Sequence, residues 1–171
     1  MTRSHRILTA IALGIAAIGL IAPQAAQAAD RSHHRSSPAQ TVVFRHGVVA
    51  PTGTQGSGLG MVRFFTIPGT VDGRAGVASY LTGTLTTIAL EPAQNRDVRA
   101  SNLVLVVGGE QNQIVIGGIS IYPSDGSTLA PGAKVVRPIL GGTGLYNGAR
   151  GSVVSENLGD RGWIHTFRIM R

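Results

Sequence analysis

Cysteine is absent from all 171 residues. Disulfide stapling, thiolate catalysis, zinc ribbons and Cys-x-x-Cys redox chemistry are therefore excluded, and packing must hold the fold together. Charge is scarce, at 13% of the chain, and acidic charge scarcer, with 8 Asp and Glu against 15 Lys and Arg. There is no acidic calcium loop, no Gly-x-Ser-x-Gly and no His-Glu-x-x-His, so the EF-hand, serine-hydrolase and zincin readings lack support. Beyond the first thirty residues no segment places apolar residues at i, i+3, i+4 and i+7 over three turns, which excludes a helical domain.

The first thirty residues stand apart. Arg3 and Arg6 precede an apolar run from Ile7 to Ala22, then Pro23 and the small-residue stretch ending Ala26-Gln27-Ala28-Ala29. This is the order of a secretory signal peptide, with cleavage expected after Ala28 and a secreted, extracellular product beginning at Ala29. The apolar run is shorter than the ~20 residues that span a bilayer, so the product is not expected to span a membrane. Residues 29–40, with Arg31, His33, His34 and Pro38, are polar and unpatterned and read as a flexible tail. The adjacent histidines lack a matching ligand cluster, so no metal site is expected.

Residues 41–171 suit one domain. Without Arg3 and Arg6 the formal charge falls by two from +7, to +5. Arginine replaces lysine almost everywhere, but Arg45, Arg63, Arg74, Arg96, Arg99, Arg137, Arg150, Arg161 and Arg168 are scattered and not interleaved with aromatics. The charge reads as solubility and weak attraction to anionic surfaces, with no specific nucleic-acid partner.

Period-2 patterning and β-branched residues dominate this domain. Eight strands are expected, over about 41–49, 59–67, 76–90, 101–107, 113–122, 133–140, 148–157 and 162–170. Pro51-Thr52-Gly53, Pro68 to Gly73, Gly108 to Asn112, Ser124 to Ser127 and Leu158 to Arg161 supply the hairpin turns. Eight antiparallel strands can close into a barrel that removes its own edges and is either filled by side chains or holds one small ligand. The fold class is thus all-β, an eight-stranded antiparallel β-barrel.

Glycine clusters at 141–144 and 56–60 invite a phosphate-cradle reading. No Lys-Ser/Thr pair follows, and no helix begins there, so the glycines are assigned to tight turns and close backbone approach. The segment Arg137-Pro138-Ile139-Leu140-Gly141-Gly142-Thr143-Gly144-Leu145-Tyr146-Asn147-Gly148-Ala149-Arg150-Gly151 resembles the signature of the dirigent and allene oxide cyclase families. The ending Trp163-Ile164-His165-Thr166-Phe167 is similar to the last strand of the cyclases. The resemblance is specific over about 134–170. It implies an eight-stranded barrel of the allene oxide cyclase/dirigent type, often trimeric, with an apolar lumen and no metal or organic cofactor, and it points to a bacterial secreted member. In plants such barrels cyclise an oxylipin epoxide or steer phenoxy-radical coupling.

Arg150 matches the shared motif, and an arginine near the lumen of a dirigent-like barrel can polarise a quinone-like oxygen. The plainer alternative is that Arg150 binds carbonyls of the Gly141 to Gly144 hairpin. Arg150, Ser152, Val154 and Glu156 share one strand face. His165 lies on the Trp163, His165, Phe167, Ile169 face, as a general base near neutral pH or as a satisfied core residue. Tyr80, Tyr122 and Trp163 are candidate ligand-binding residues, and the tyrosines can equally line a rim. No acidic residue occurs from Thr41 to Ile67, where the plant enzymes place carboxylates, so an acid-dependent cyclase mechanism is not carried over.

Two functions of different class follow. One is a barrel for an apolar small molecule, as a cofactor-independent isomerase or cyclase, a guide of stereochemistry, or a carrier. The other is a non-catalytic secreted structural or surface-interaction barrel. Leu103 to Val107 and Ile114 to Ile116, then Ile119 with Ile121, read as apolar on both faces of their strands, which leads to the expectation of a homo-oligomer, a trimer, joined partly through the outer surface of the strands around 101–107 and 113–122.

Overall fold

A computed structural model describes residues 39–74 and 76–170. The expected leader, and the tail up to residue 38, lie outside the described residues. Ten strand segments follow in order: β1 Gln40–His46, β2 Gly53–Gln55, β3 Val62–Val71, β4 Ser79–Glu91, β5 Arg96–Val107, β6 Gln113–Ile116, β7 Ile119–Tyr122, β8 Lys134–Gly142, β9 Arg150–Asn157 and β10 Trp163–Met170. Every pairing is antiparallel.

The order β1-β10-β9-β8-β6-β5-β4-β3 returns to β1 through Phe44 opposite Val71 and Arg45 opposite Thr70. β6 and β7 are two halves of one stave, since β6 pairs with Leu103 to Val106 of β5 and β7 with Asp97 to Ala100. The eight staves therefore close into the barrel expected from the pattern. β2 is a short flap on β3.

Several expected boundaries move. Pro68 to Gly73 was expected to turn the chain, but β3 runs on to Val71. Pro68 is tolerated because it is exposed at the sparsely paired seam between β3 and β1, where no ladder donor is needed. Likewise 91–99 is not a loop. A single 3-10 turn, Pro92–Gln94, and the left-handed Asn95 (φ 51°) reverse the chain, so that β5 starts at Arg96. The 113–122 stave is broken at Gly117-Gly118, where added Cβ atoms would run into Leu140 and Pro138 of β8.

Strand alternation sends one residue in two into the barrel. At one end these are apolar: Phe44, Leu105, Ile114, Tyr146, Phe167 and Ile169 are fully buried. Each such side chain contributes about 1.5–3 kcal/mol through removal from water. The Gly141-Gly142-Thr143-Gly144 segment closes this end. Gly142 lies against the Tyr146 carbonyl and Gln113, leaving no space for a Cβ, and Gly144 has φ +56°. Thr143 Oγ1 donates to the Gln111 carbonyl (2.7 Å), and the Leu145 N–H donates to Asn112 Oδ1 (3.0 Å). The single 3-10 turn Gly144–Tyr146 thereby turns Tyr146 into the core. The motif builds the barrel floor.

Candidate functional site

The opposite half of the lumen has a different lining. Going round the barrel, β1 supplies His46, β10 His165, β9 Ser155, β8 Arg137, β7 Tyr122, β5 Asp97, Arg99 and Ser101, β4 Thr87 and β3 Arg63. All are buried. Every stave thus contributes to a polar belt above the apolar floor, where each group must find a partner or carry an energetic penalty.

Most of the partners are within the belt. Arg137 donates from Nε to Ser101 Oγ (2.8 Å), from Nη1 to Ser155 Oγ (3.5 Å) and from Nη2 to Tyr122 Oη (3.0 Å). It ties its own stave to three others, using three of its five N–H donors. Arg99 lies over the Tyr122 ring, 4.2 Å from its centroid, and donates from Nη2 to Asp97 Oδ2 (3.1 Å). Arg63 donates from Nη1 to Thr87 Oγ1 (3.0 Å).

The two histidines form a directional chain. His46 Nδ1 lies 2.7 Å from the Gly47 carbonyl, which can only accept, so the proton sits on Nδ1 and Nε2 is an acceptor. His165 Nε2, 3.0 Å away, must then donate to it. That leaves His165 Nδ1 to accept from the Ser155 hydroxyl at 2.8 Å, while the same oxygen accepts from Arg137. Both rings are neutral in this arrangement. The electrostatics agree. Burial, with His46 and Arg137 adding to it, pushes His165 down to about 3, and burial also lowers His46.

The belt lines a cavity of about 200 Å³. Its walls are apolar (Phe65, Ile67, Leu81, Leu85, Leu103) and its polar lining includes His46, Arg63, Arg99, Arg137, Ser155 and His165. Val49 and Pro51 from the loop after β1, with Gly126, Ser127 and Thr128 from the loop after β7, frame the mouth. Trp163 lines the cavity too, stacked on His165 at 6.2 Å and 14°. Among the described residues no group of three His, Asp or Glu side chains converges.

The expected site residues are dispersed. His165, Tyr122 and Trp163 meet at the cavity. Tyr80 alternates with buried Ser79 and Leu81 and faces outward. Arg150 is exposed on the outer face of β9, where it donates from Nη1 to the Ala149 carbonyl (2.8 Å). It therefore stands outside the lumen, because Val153, Ser155 and Asn157 take the inward positions of that strand. His165 keeps no idle lone pair, since Nδ1 already accepts from Ser155.

Arg63, Arg99, Arg137, His46 and Ser155 were not anticipated. The three arginines were counted among scattered surface charges, yet each is buried. A signal was present. Arg63-x-Phe65-x-Ile67, Arg99-x-Ser101-x-Leu103-x-Leu105 and Arg137-x-Ile139 put each arginine in phase with the apolar, inward positions of its strand.

The fold is that of dirigent-like barrels. The chain resembles a pyocyanin demethylase with a TM-score of 0.53 at 18% identity, over 78% of this chain and 99% of that one. It also resembles a pterocarpan synthase dirigent protein, with a TM-score of 0.50 at 15% identity over 79% and 87%. No family model matches the sequence, and no curated protein matches it. At these identities the likeness establishes the dirigent-like barrel and leaves the chemistry to the site.

Proposed function

We propose that this protein is an exported barrel that binds a small, largely apolar molecule bearing oxygen in its lumen. The observation that carries the reading is the cavity itself, walled by Phe65, Ile67, Leu81, Leu85 and Leu103 and ringed by donors. A concave apolar pocket with a few convergent polar groups is the usual form of a small-molecule site. Two neighbours in fold are named for work on small molecules, as a demethylase and a pterocarpan synthase, which supports the reading by analogy. The finer version is a cofactor-independent isomerase or a guide of stereochemistry, with arginine and tyrosine donors polarising a ligand oxygen.

Trp163 is the single tryptophan of the chain and lines the cavity, so its fluorescence reports occupancy. Apolar aromatic compounds carrying one or two oxygens are expected to alter its emission saturably in the wild type. In Leu81→Phe, which fills the cavity, the response should be lost while the far-ultraviolet circular dichroism stays that of a barrel. Equal responses in both proteins, or none in the wild type, contradict a luminal site.

A further inference from the structure

We infer that the luminal ligand is an organic anion, an apolar acid whose carboxylate is held between Arg63 and Arg99. This deepens the proposed function and rests on the lumen being the binding site.

The first ground is charge. The belt holds three guanidinium groups, Arg63, Arg99 and Arg137, and a single carboxylate, Asp97. The two histidines are neutral in the hydrogen-bond chain described above, so two positive charges are left over in a buried layer. Among the described residues no other carboxylate forms an ion pair with them. Asp125, on the mouth loop, feels the charge of Arg99 but makes no ion pair with it, being exposed and accepting from the Ser127 N–H at 2.9 Å. Asp72, Glu91 and Glu156 pair with Arg45, Arg96 and Lys134 elsewhere. Buried charge without a counter-charge is costly, and a bound anion removes that cost.

The second ground is an orphaned donor. Arg99 is 3% exposed, its Nη2 is used by Asp97, and its Nε is buried without a partner, in a side chain that lines the cavity. Arg63 has one hydrogen bond, to Thr87, which lies directly across from Arg99 on the neighbouring strand. The two guanidinium groups are close enough that Arg99 lowers the Arg63 pKa, after burial itself. Both stay protonated, since arginine does not titrate in proteins. Such planar forks match a carboxylate geometrically. Arg137, held by Ser101, Ser155 and Tyr122 through all three of its nitrogens, is structural. The five apolar walls then take a hydrocarbon body, so the ligand has an acid head and an apolar tail.

The test uses a series of ω-phenyl carboxylic acids of two to six carbons, their uncharged primary amides, and inorganic phosphate, each titrated by calorimetry at pH 7.5. The best acid is expected to bind at least about tenfold more tightly than its amide, as a charge-assisted pair of hydrogen bonds predicts, and more tightly than phosphate. In Arg63→Met that preference should shrink to about twofold with amide binding retained. Arg63→Met should also melt higher than the wild type, because it removes one of two mutually repelling buried charges. A purely structural Arg63 would give the opposite shift. The double variant Asp97→Asn/Arg99→Met, which removes an ion pair together, serves if Arg63→Met fails to fold, and should lose the preference likewise. Acids and amides binding equally, or a preference that survives both variants, overturns the anion assignment and leaves the luminal site standing. Phosphate binding as tightly as the acids also overturns it, in favour of a free inorganic anion. Binding by no member of the series overturns both readings.

Discussion

His165 shows how a single residue can be determined by its neighbours. On its strand it is one polar side chain among Trp163, Phe167 and Ile169, and only the approach of His46 and Ser155 from adjacent staves decides its tautomer and its charge. Because its folded pKa is depressed to about 3 from the usual 6.5, the stability it allows is complete above about pH 6.5. It is lost as the pH falls from there toward 3, where the unfolded chain has taken up a proton that the folded ring refuses. His46 acts in the same sense. Each ring steepens the loss by up to about 1.4 kcal/mol per pH unit within its window. Urea unfolding at pH 7.5 and pH 5 should therefore show a marked drop, and the drop should be smaller in His165→Asn. An unchanged difference in that variant would rule out the buried neutral pair. Arg137 is constrained differently, by geometry rather than protonation. Lysine keeps its charge but cannot reach Ser101, Ser155 and Tyr122 with one rigid fork. Arg137→Lys should cost about 2–3 kcal/mol in the same assay.

At the scale of the element, the segment from β8 to β9 carries the fold's most recognisable sequence, and its work is architectural. Gly142 packs against the Tyr146 carbonyl and Gln113 with no space for a Cβ. Gly142→Ala should therefore displace the 3-10 turn that seats Tyr146 and lower the melting temperature by several degrees, consistent with ~1–3 kcal/mol of overpacking. Gly148→Ala is the control. Nothing lies within 4 Å of an added Cβ there, and only its positive φ of 75° is strained, so it should cost less, about 1 kcal/mol. Thermal unfolding of the two variants side by side measures the difference, and equal losses would contradict the floor role of Gly142. The broken stave β6–β7 has a similar logic. Gly117 and Gly118 interrupt the alternation, and past them Ile119 and Ile121 project outward while Ser120 and Tyr122 turn in.

That interruption matters for the whole molecule. Apolar sequence on both faces of 101–107 and 113–122 leads to an expected oligomer, and the structure relocates the exposed part of that surface. Val106 is buried within the single chain at 3% exposure, whereas Ile119, Ile121, Val136 and Leu140 are exposed at 44–63% on β7 and β8. We propose that copies of the chain associate through this outer face, since grouped exposed apolar side chains commonly mark an interaction surface. Sedimentation at micromolar concentration should give an assembly, with a trimer expected, and Ile119→Asp or Val136→Asp should dissociate it while leaving the barrel folded. Val106→Asp should instead destabilise the chain itself, being buried. A wild type that sediments as a monomer removes the proposal. Export is tested as simply: the protein in the culture medium should begin at Ala29 or within a residue or two, and intact Met1 there would contradict it.

The barrel was legible in the sequence because it depends on local signals. Two-residue alternation from Thr41 onward, turn residues between the runs and the Gly-Gly-Thr-Gly hairpin each report on a few adjacent positions, and together they determine eight antiparallel staves. Boundaries at Pro68 to Gly73 and Glu91 to Arg99 were misread where a proline on a sparsely paired seam and a three-residue turn imitate longer loops. The site was not legible in the same way. Arg63, Arg99 and Arg137 are separated by 36 and 38 positions and look like dispersed surface charge until barrel closure turns the inward face of every stave toward one axis. His46 and His165 are 119 positions apart and come within 3.0 Å only because β1 and β10 are neighbours in the closed ring. Arg150, the motif arginine, went outward for the same reason, since strand phase fixed by pairing with β8 and β10 gave the lumen to Ser155. Alternation along a strand is a property of the chain, whereas convergence across eight strands is a property of their register, and only the register decided which polar groups share the buried space.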